Sequence, residues 1–279
     1  MTLVAASGRT FDVLAPPDGP RVGVLLHVPH SSQIIPADVR TRLLLSDADL
    51  QRELLLMTDQ HTEALFACVL ERGGVALVNR LSRLVVVPER FPDDEQEPMA
   101  RVGMGVVYSR THDGRPLRYE DRAERERLLD RYFHPYAAAA TGAVDALLAR
   151  FGRCLILDGH SFPSRPLPCE PSHAPDRPEL CVGTDETHTP ETLVGAIETA
   201  CRACGTTTRR NSPFAGTYVP LAFLRRDRRV SSVMIEVRRD TYMDESTGAR
   251  SGAFDARRAF LGEVIDTRIH VWDTRGGGA

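Results

Sequence analysis

The chain has 279 residues, 42% of them hydrophobic and 26% charged, and this balance is typical of a soluble globular protein. Its net charge of −3 gives no electrostatic footprint for nucleic acid, and no apolar run approaches the roughly 20 residues of a membrane helix. Because the N-terminus lacks the basic-then-apolar order of a signal peptide, we expect a cytoplasmic protein.

The first part of the chain predicts a buried strand followed by helices. The run 22–28 is almost wholly apolar, which indicates a strand covered on both faces. Apolar residues then recur at helical spacing over 46–72. Thr58 or Asp59 is a suitable N-cap for a second helix inside that region.

Two short strands, 75–78 and 84–87, are predicted before a long loop. Segment 88–117 is rich in Pro, Gly, Asp and Arg, and it is too long for a simple connection. We therefore expect it to be an active-site loop. The longest helical stretch, 119–150, follows, and Pro135 is expected to end or kink it midway.

The central stretch of the chain is the apolar run 154–157, which indicates a strand buried in a parallel sheet. It ends in Asp158, Gly159, His160 and Ser161. In open α/β sheets, ligands bind at the carboxyl ends of the strands, so these residues are expected in a site. The proline-rich segment 161–178 predicts a second active-site loop.

The rest of the chain predicts strands at 180–182 and 230–237, and helices at 190–204 and 254–271. The segment 274–279 is expected to be a frayed tail. Since strands and helices alternate without an evident linker, we predict one α/β domain over 1–279.

Two histidines at predicted strand ends, His30 and His160, indicate a metal site. Catalytic zinc takes three protein ligands, commonly two His and a carboxylate, and leaves one position open. Asp59 is the favoured carboxylate because it lies near a predicted helix start, although the same position suits a simple cap. Glu53 and His61 are the alternatives for this ligand.

Glu236 is the candidate general base. It lies in the apolar strand 230–237, where a carboxylate is costly to bury unless it is paired or linked to a metal. We expect it to take a proton from the attacking water and to pass it to the leaving amine. A salt bridge to Arg238 or another arginine is the structural alternative.

The same central stretch also resembles a serine-hydrolase motif. Gly159-His160-Ser161-Phe162-Pro163 is close to the G-x-S-x-G nucleophile elbow. However, Pro163 replaces the last glycine and a proline-rich loop follows, whereas the elbow requires a helix. The metal site is therefore preferred.

Taken together, these motifs resemble those of the N-formylglutamate amidohydrolase family, in order, from about residue 25 to 245. They are Pro29-His30-Ser31, Asp59, Asp158-Gly159-His160-Ser161, Asn211-Ser212-Pro213-Phe214 and Ile235-Glu236-Val237. The resemblance implies a mixed, mostly parallel sheet between helices, similar to zinc carboxypeptidases and phosphorylase/hydrolase-like proteins. It also implies hydrolysis of N-formyl-L-glutamate to formate and glutamate in histidine breakdown, with a divalent metal such as zinc. The implied ligands are His30, Asp59 and His160, and the implied acid/base is Glu236.

The chain departs from the family pattern where we expect the amino-acid part of the substrate to bind. The family's Asp-x-Asn-Arg element is here Val87-Pro88-Glu89-Arg90. An acidic substrate requires cations, and the chain has no lysine, so arginines must supply them. The candidate substrate-binding residues are Arg83, Arg90, Arg125, Arg238, Ser161 and Tyr218.

Three functions follow from the sequence, in order of preference. The first is a zinc-dependent amidohydrolase acting on an N-acyl amino acid, with N-formyl-L-glutamate as the favoured substrate. The second is a metallopeptidase or amidase of the same fold acting on a peptide, natural-product or cell-wall amide. The third is a non-catalytic binding protein, which the presence of all four metal-site residues disfavours. The sequence predicts a small-molecule partner, with no nucleic acid or membrane, and it gives no oligomeric state.

Overall fold

The structure is a computed structural model that describes residues 9–170 and 172–274, with the side chains of 267–274 excluded. Residues 275–279, which make up all but the first residue of the predicted tail, lie outside the described residues. None of the described helices is both long enough and apolar enough to cross a bilayer.

The centre of the fold is a seven-stranded sheet in the order β1-β3-β2-β4-β7-β5-β6. The pairs β3–β2, β2–β4, β4–β7 and β5–β6 are parallel, whereas β1–β3 and β7–β5 are antiparallel. The strands are β1 Phe11–Leu14, β2 Val24–Val28, β3 Val75–Asn79, β4 Cys154–Phe162, β5 Leu180–Gly183, β6 Thr208–Arg210 and β7 Val230–Arg238.

Helices cover both faces of this sheet. They are α1 Ala37–Arg40, α2 Asp47–Met57, α3 Thr62–Leu65, α4 Cys68–Glu71, α5 Arg122–Leu128, α6 His134–Phe151, α7 Glu191–Ala203 and α8 Phe254–Thr274. Local signals set several ends: the Ser46 hydroxyl accepts a hydrogen bond from the Asp49 N–H at the start of α2, and Gly152 ends α6 at φ +74°. The predicted single α/β domain with a mixed, mostly parallel sheet between helices is confirmed.

One predicted strand is absent from the structure, and two strands of the sheet were not predicted. The run 84–87 is not a strand but a buried turn, in which all four residues pack into an apolar cluster beside α2. Burial alone made it strand-like in sequence, because a short apolar run does not distinguish a strand from other buried chain. Strands β1 and β6, of four and three residues, lie at the two edges of the sheet and were not predicted.

A π-helical turn interrupts the predicted long helix just before Pro135. Residues Leu129–Phe133 form this turn between α5 and α6, and Pro135 lies in the first turn of α6. Proline lacks an N–H and is tolerated in a first turn, so the helix restarts there instead of breaking.

The sheet separates two apolar layers, and strand alternation decides which layer each side chain joins. On one face, Leu155 and Leu157 pack with α3, α4, α7 and α8. On the other face, Cys154 and Ile156 pack against α6, so Asp158 and His160 also point towards the α6 side. Alternation along β4 therefore places the polar residues of the central motif on one face, at the carboxyl end of the sheet.

Candidate active site

The candidate site lies where β2, β4 and β7 end. Strand β4 continues through the central motif to Phe162 instead of ending before Asp158, so Asp158 and His160 are held by strand pairing. Residues His160 and Glu236 are paired in the β4–β7 register, and His27 is paired with Asp158 in the β2–β4 register. Parallel pairing places paired side chains on the same face of the sheet.

Two buried histidines, His30 and His160, face each other with ring centroids 5.1 Å apart. Asp59 lies on the Nδ1 side of both rings: its Oδ2 is 3.6 Å from His30 Nδ1 and 3.2 Å from His160 Nδ1. Glu89 lies on the Nε2 side, with its two oxygens 3.4 Å from His30 Nε2 and 3.2 Å from His160 Nε2. Each carboxylate therefore bridges the histidine pair from a different side.

Asp158 orients three groups at once. Its Oδ1 is 2.7 Å from His27 Nδ1 and 2.9 Å from His160 Nε2, and its Oδ2 accepts a hydrogen bond of 2.9 Å from the Tyr218 backbone N–H. The Tyr218 ring in turn stacks on His27, with centroids 4.0 Å apart. Asp158 is only 1% exposed, so the loss of one of these bonds leaves a buried polar group unpaired.

Asp59 uses its two oxygens differently. Its Oδ1 accepts a hydrogen bond of 2.9 Å from Arg239 Nη2, whereas Oδ2 faces the histidines. Burial pushes the pKa of Asp59 upward, but the neighbouring His160, His30 and Arg239 outweigh burial and hold this pKa well below its ordinary value. Asp59 is therefore ionised and fixed between Arg239 and the histidine pair.

The other ionisable groups respond to the same burial. Burial and the nearby Arg83 lower the pKa of His30 to about 4. For Glu89, burial would raise the pKa, but the neighbouring His30 and His160 hold it well below its ordinary value. Burial would lower the pKa of His160, but Asp158 and Glu89 raise it well above its ordinary value.

Glu236 is the least compensated carboxylate of the site. It is 7% exposed, and its Oε2 has no hydrogen-bond partner among the residues that the structure describes. Burial raises its pKa to about 8. A carboxyl group poised near neutral pH beside a histidine pair is suited to proton transfer.

The donor set fits a divalent cation. Both ring nitrogens of His30 are buried and make no hydrogen bond within the described part of the chain, so one of them is free to bind a cation. The ligand atoms of His30, Glu89 and His160 lie within 4.8 Å of one another. Three buried carboxylates, Asp59, Asp158 and Glu236, and the partly buried Glu89 lie in the cluster. Arg83 and Arg239 place their guanidinium groups within 4.0 Å of Asp59.

A cleft of about 380 Å³ leads to this cluster, within the size range of roughly 300–1,000 Å³ that is usual for small-molecule sites. One wall comes from 88–91, a second from Phe133 of the π-helical turn and α6 residues such as Ala137, and a third from 216–225. Glu89 and Tyr218 belong both to the cleft wall and to the polar cluster.

Comparison with known proteins identifies the family. The sequence profile of the N-formylglutamate amidohydrolase family matches residues 22–243. The chain belongs to this family. It is similar to the N-formylglutamate deformylase of Pseudomonas aeruginosa, with 28% identity over 259 residues, which are 89% of this chain and 93% of that protein.

Solved structures agree with the family assignment. The crystal structure of an N-formylglutamate amidohydrolase from Ralstonia eutropha JMP134 matches with a TM-score of 0.79 and 27% identity, over 96% of this chain and 99% of that one. A gene product of Agrobacterium tumefaciens has the same fold, with a TM-score of 0.68 and 20% identity, over 95% and 97% of the two chains. Membership makes the chain an amide-hydrolysing enzyme.

The structure brings together the four residues that the family resemblance implied: His30, Asp59, His160 and Glu236. The alternative ligands lie elsewhere. Glu53 accepts hydrogen bonds from the backbone N–H and Nδ1 of His112, and His61 contacts the Gly248 carbonyl.

Only some of the predicted substrate-binding residues lie at the cleft or beside the polar cluster. Arg83 lies beside Asp59 at 4.0 Å, and Tyr218 lines the cleft. Arg90 also lines the cleft, but it is paired with Glu97 at 3.2 Å. Ser161 faces away from the cleft, because β4 alternation turns it to the other face, where it accepts a hydrogen bond from Arg239 Nε.

Two of the predicted arginines do not reach the cleft. Arg125 pairs with Asp94 at 3.0 Å beside a separate depression, and Arg238 pairs with Asp240 at 2.8 Å. These placements correct the expectation that both hold substrate: each guanidinium is already neutralised by a neighbouring carboxylate.

The sequence does not assign the roles of three contributors to the site. Glu89 departs from the family pattern, yet it contacts both histidines. Asp158 is expected in the site as part of a strand end, but its place at the centre of a buried polar network is visible only in the structure. Arg239 is 3% exposed and contacts both Asp59 and Ser161, and its neighbour Arg238 had been chosen instead.

Proposed function

We propose that this enzyme is a metal-dependent amidohydrolase that cleaves an N-acyl amino acid, with N-formyl-L-glutamate as the substrate and zinc or another divalent cation as the cofactor. The observation that carries the proposal is the buried His30–His160 pair, which the carboxylates of Asp59 and Glu89 bridge. Strand register also pairs His160 with Glu236. The family match and the deformylase relative support the substrate.

The tautomers of the histidines favour Asp59 as the carboxylate ligand. His160 Nε2 is 2.9 Å from Asp158 Oδ1, closer than His160 Nδ1 is to Asp59. If Nε2–H donates to Asp158, the free lone pair is on Nδ1, which faces Asp59. Metal-binding histidines commonly donate their other N–H to a carboxylate in this way.

The same reasoning assigns a different role to Glu89. It lies on the Nε2 side of His30, at 3.4 Å, where it is placed to accept the second N–H of that ring. Its side chain is 19% exposed and lines the cleft, whereas Asp59 is 2% exposed. We therefore propose His30, Asp59 and His160 as ligands, with Glu89 orienting His30 next to the substrate.

The cation, when bound, supplies Lewis-acid polarisation of the acyl oxygen. Glu236 accepts a proton from the attacking water and donates it to the leaving nitrogen, which its burial and raised pKa favour. We also propose that Arg83, whose guanidinium is 4.0 Å from Asp59, stabilises negative charge on the reacting group. Tyr218 fixes the opposite wall of the cleft through its backbone bond to Asp158.

Zinc titration by calorimetry of two matched variants, Asp59→Asn and Glu89→Gln, tests the ligand assignment. We expect the loss of a ligand in D59N to weaken zinc binding by more than 100-fold, and the loss of an orienting group in E89Q to weaken it by about 10–100-fold. A larger loss in E89Q than in D59N would instead make Glu89 the ligand. Glu236→Gln should retain zinc and lose about 10²–10⁴-fold in kcat, and full activity in E236Q would contradict its role.

A second candidate substrate class has its own support. The departure of 87–90 from the family pattern places the Glu89 carboxylate in the cleft, where an acidic substrate would meet it. A metallopeptidase or amidase acting on a peptide, natural-product or cell-wall amide would share the metal site. Parallel assays of N-formyl-L-glutamate and an uncharged N-acyl peptide distinguish the two.

A further inference from the structure

One arginine of the cleft has no partner in the described part of the chain. Arg225 lines the cleft together with Glu89 and Tyr218, and its exposed side chain makes no hydrogen bond or ion pair with any described residue. Arg90, the other arginine of the cleft wall, is paired with Glu97, which also accepts the Phe91 N–H. Arg225 is thus the cleft cation whose charge is not already neutralised.

The backbone at Arg225 is held in a conformation that arginine rarely adopts. Its φ is +56°, in the left-handed region where a Cβ is crowded. Such conformations persist when the surroundings fix them, and they cluster at functional sites. Here the Arg225 N–H donates a hydrogen bond of 2.7 Å to Nε2 of His188.

His188 is well placed to fix this turn. It is 1% exposed, and because its Nε2 accepts from Arg225, its Nδ1 carries the proton and donates to the Val230 carbonyl at 2.7 Å. The His188 backbone carbonyl accepts the Ser232 N–H, which ties the residue to β7. The turn that displays Arg225 is therefore anchored directly to the strand that carries Glu236.

The cleft also contains a carboxylate near this turn, Asp185. Its Oδ1 is occupied by the backbone N–H groups of Thr187 and His188. That pattern makes Asp185 part of the turn that positions His188. The Arg225 guanidinium remains available to a ligand, and planar guanidinium recognises carboxylate in a bidentate manner.

We propose that Arg225 is a specificity-determining residue that binds a carboxylate of the substrate, and that His188 is a positioning residue that holds it at the cleft. This inference rests on the proposed function, since it assumes an N-acyl amino acid in the cleft. It adds a residue that lies outside the polar cluster of the histidine pair.

The test compares Arg225→Gln with Arg226→Gln in the zinc-loaded enzyme. Arg226 is the adjacent arginine, exposed and absent from the cleft wall, so it controls for net charge. We expect R225Q to raise KM for N-formyl-L-glutamate by about 10- to 100-fold with kcat nearly unchanged, and R226Q to match the wild type.

Two monoamides of the substrate identify the carboxylate. These are N-formyl-L-glutamine and N-formyl-L-isoglutamine, which each lack one of the two charges. On the monoamide that lacks the carboxylate bound by Arg225, the wild type and R225Q should have equal KM. If the wild type hydrolyses N-formyl-L-glutamate but R225Q and R226Q behave alike on all three compounds, the inference is wrong and the proposed function stands. If the wild type hydrolyses none of them, the proposed function fails and the inference fails with it.

A double-mutant cycle tests the role of His188. His188→Ala should raise KM on N-formyl-L-glutamate, and it should add little in the R225Q background, because both changes remove one interaction. Circular dichroism of each variant checks that the fold is intact. A fall in kcat of equal size on all three compounds, in a folded H188A protein, would contradict positioning of Arg225.

Discussion

Replacement of Asp158 by asparagine perturbs the site at its most connected point. The carboxylate accepts hydrogen bonds from His27, His160 and the Tyr218 N–H, at 2.7, 2.9 and 2.9 Å. Asparagine has nearly the same shape, but it has one acceptor oxygen and an NH₂ group. In D158N, the NH₂ group replaces one of the two carboxylate oxygens. It therefore faces either the Tyr218 N–H or the ring N–H groups of His27 and His160, and two donors then oppose each other.

The size of the effect follows from these bonds. An unsatisfied buried donor costs about 1–3 kcal/mol, and the surviving bonds lose the charge assistance that distinguishes them from neutral ones. We therefore expect D158N to lower the free energy of unfolding by about 2–4 kcal/mol. With about 2–4 °C per kcal/mol at this chain length, the thermal midpoint should fall by roughly 5–15 °C. Zinc affinity should fall by about 10–100-fold, because His160 loses the group that fixes its tautomer.

Chemical denaturation and zinc calorimetry measure the two effects separately. The control is Asp145→Asn, since Asp145 is exposed on α6 and makes the same change of charge away from the site. If D158N unfolds within about 0.5 kcal/mol of D145N and binds zinc like the wild type, the proposed role of the network is refuted.

Three further predictions concern other parts of the molecule. Arg239→Met should weaken zinc binding by about 10-fold or more, because Arg239 holds the Asp59 carboxylate in place. Arg238→Met should leave the zinc affinity measured by calorimetry unchanged, since Arg238 pairs with Asp240. Equal affinities in the two variants would contradict the role of Arg239 in holding Asp59. The hydrogen bond to Glu53 raises the pKa of His112, so the pair contributes fully to the free energy of unfolding below pH 6.5, and this contribution is lost as pH rises through the raised pKa. In urea unfolding, His112→Gln should therefore lose more free energy of unfolding relative to the wild type at pH 5.5 than at pH 9. A loss that is independent of pH would refute this. Zinc at 100 times its Kd should stabilise the protein by about 2.7 kcal/mol, which thermal scans detect as a rise in the thermal midpoint. His30→Ala should abolish this rise. A rise that persists in H30A would place the ion elsewhere.

The sequence predicted those parts of the fold that depend on long apolar periodicity. Strands β2, β4 and β7 and helices α6 to α8 were found because burial on both faces or helical spacing marks them directly. The run 84–87 was mistaken for a strand because its four residues are buried for a different reason, as part of a cluster beside α2. The edge strands β1 and β6 are too short to carry a pattern.

The sequence predicted those residues of the candidate site that lie in strands or at strand ends. His30, His160 and Glu236 come from strands or their ends, and parallel pairing brings such residues to one edge of a sheet. Glu89 could not be placed in this way, since it comes from a loop whose path depends on long-range packing.

Arg239 shows the limit of reasoning from alternation. Strand β7 ends at Arg238, and the 3₁₀ turn Arg239–Thr241 redirects the chain so that Arg239 enters the core and Arg238 turns to Asp240. Two adjacent arginines cannot be distinguished from sequence when the strand ends between them.

Formate release from N-formyl-L-glutamate by the purified chain, before metal stripping, after it and after zinc is restored, tests the central claim most directly. The account predicts release that disappears with the metal and returns with zinc. Release that survives complete stripping would contradict the metal-dependent mechanism, and no release from zinc-loaded protein would contradict N-formyl-L-glutamate as the substrate.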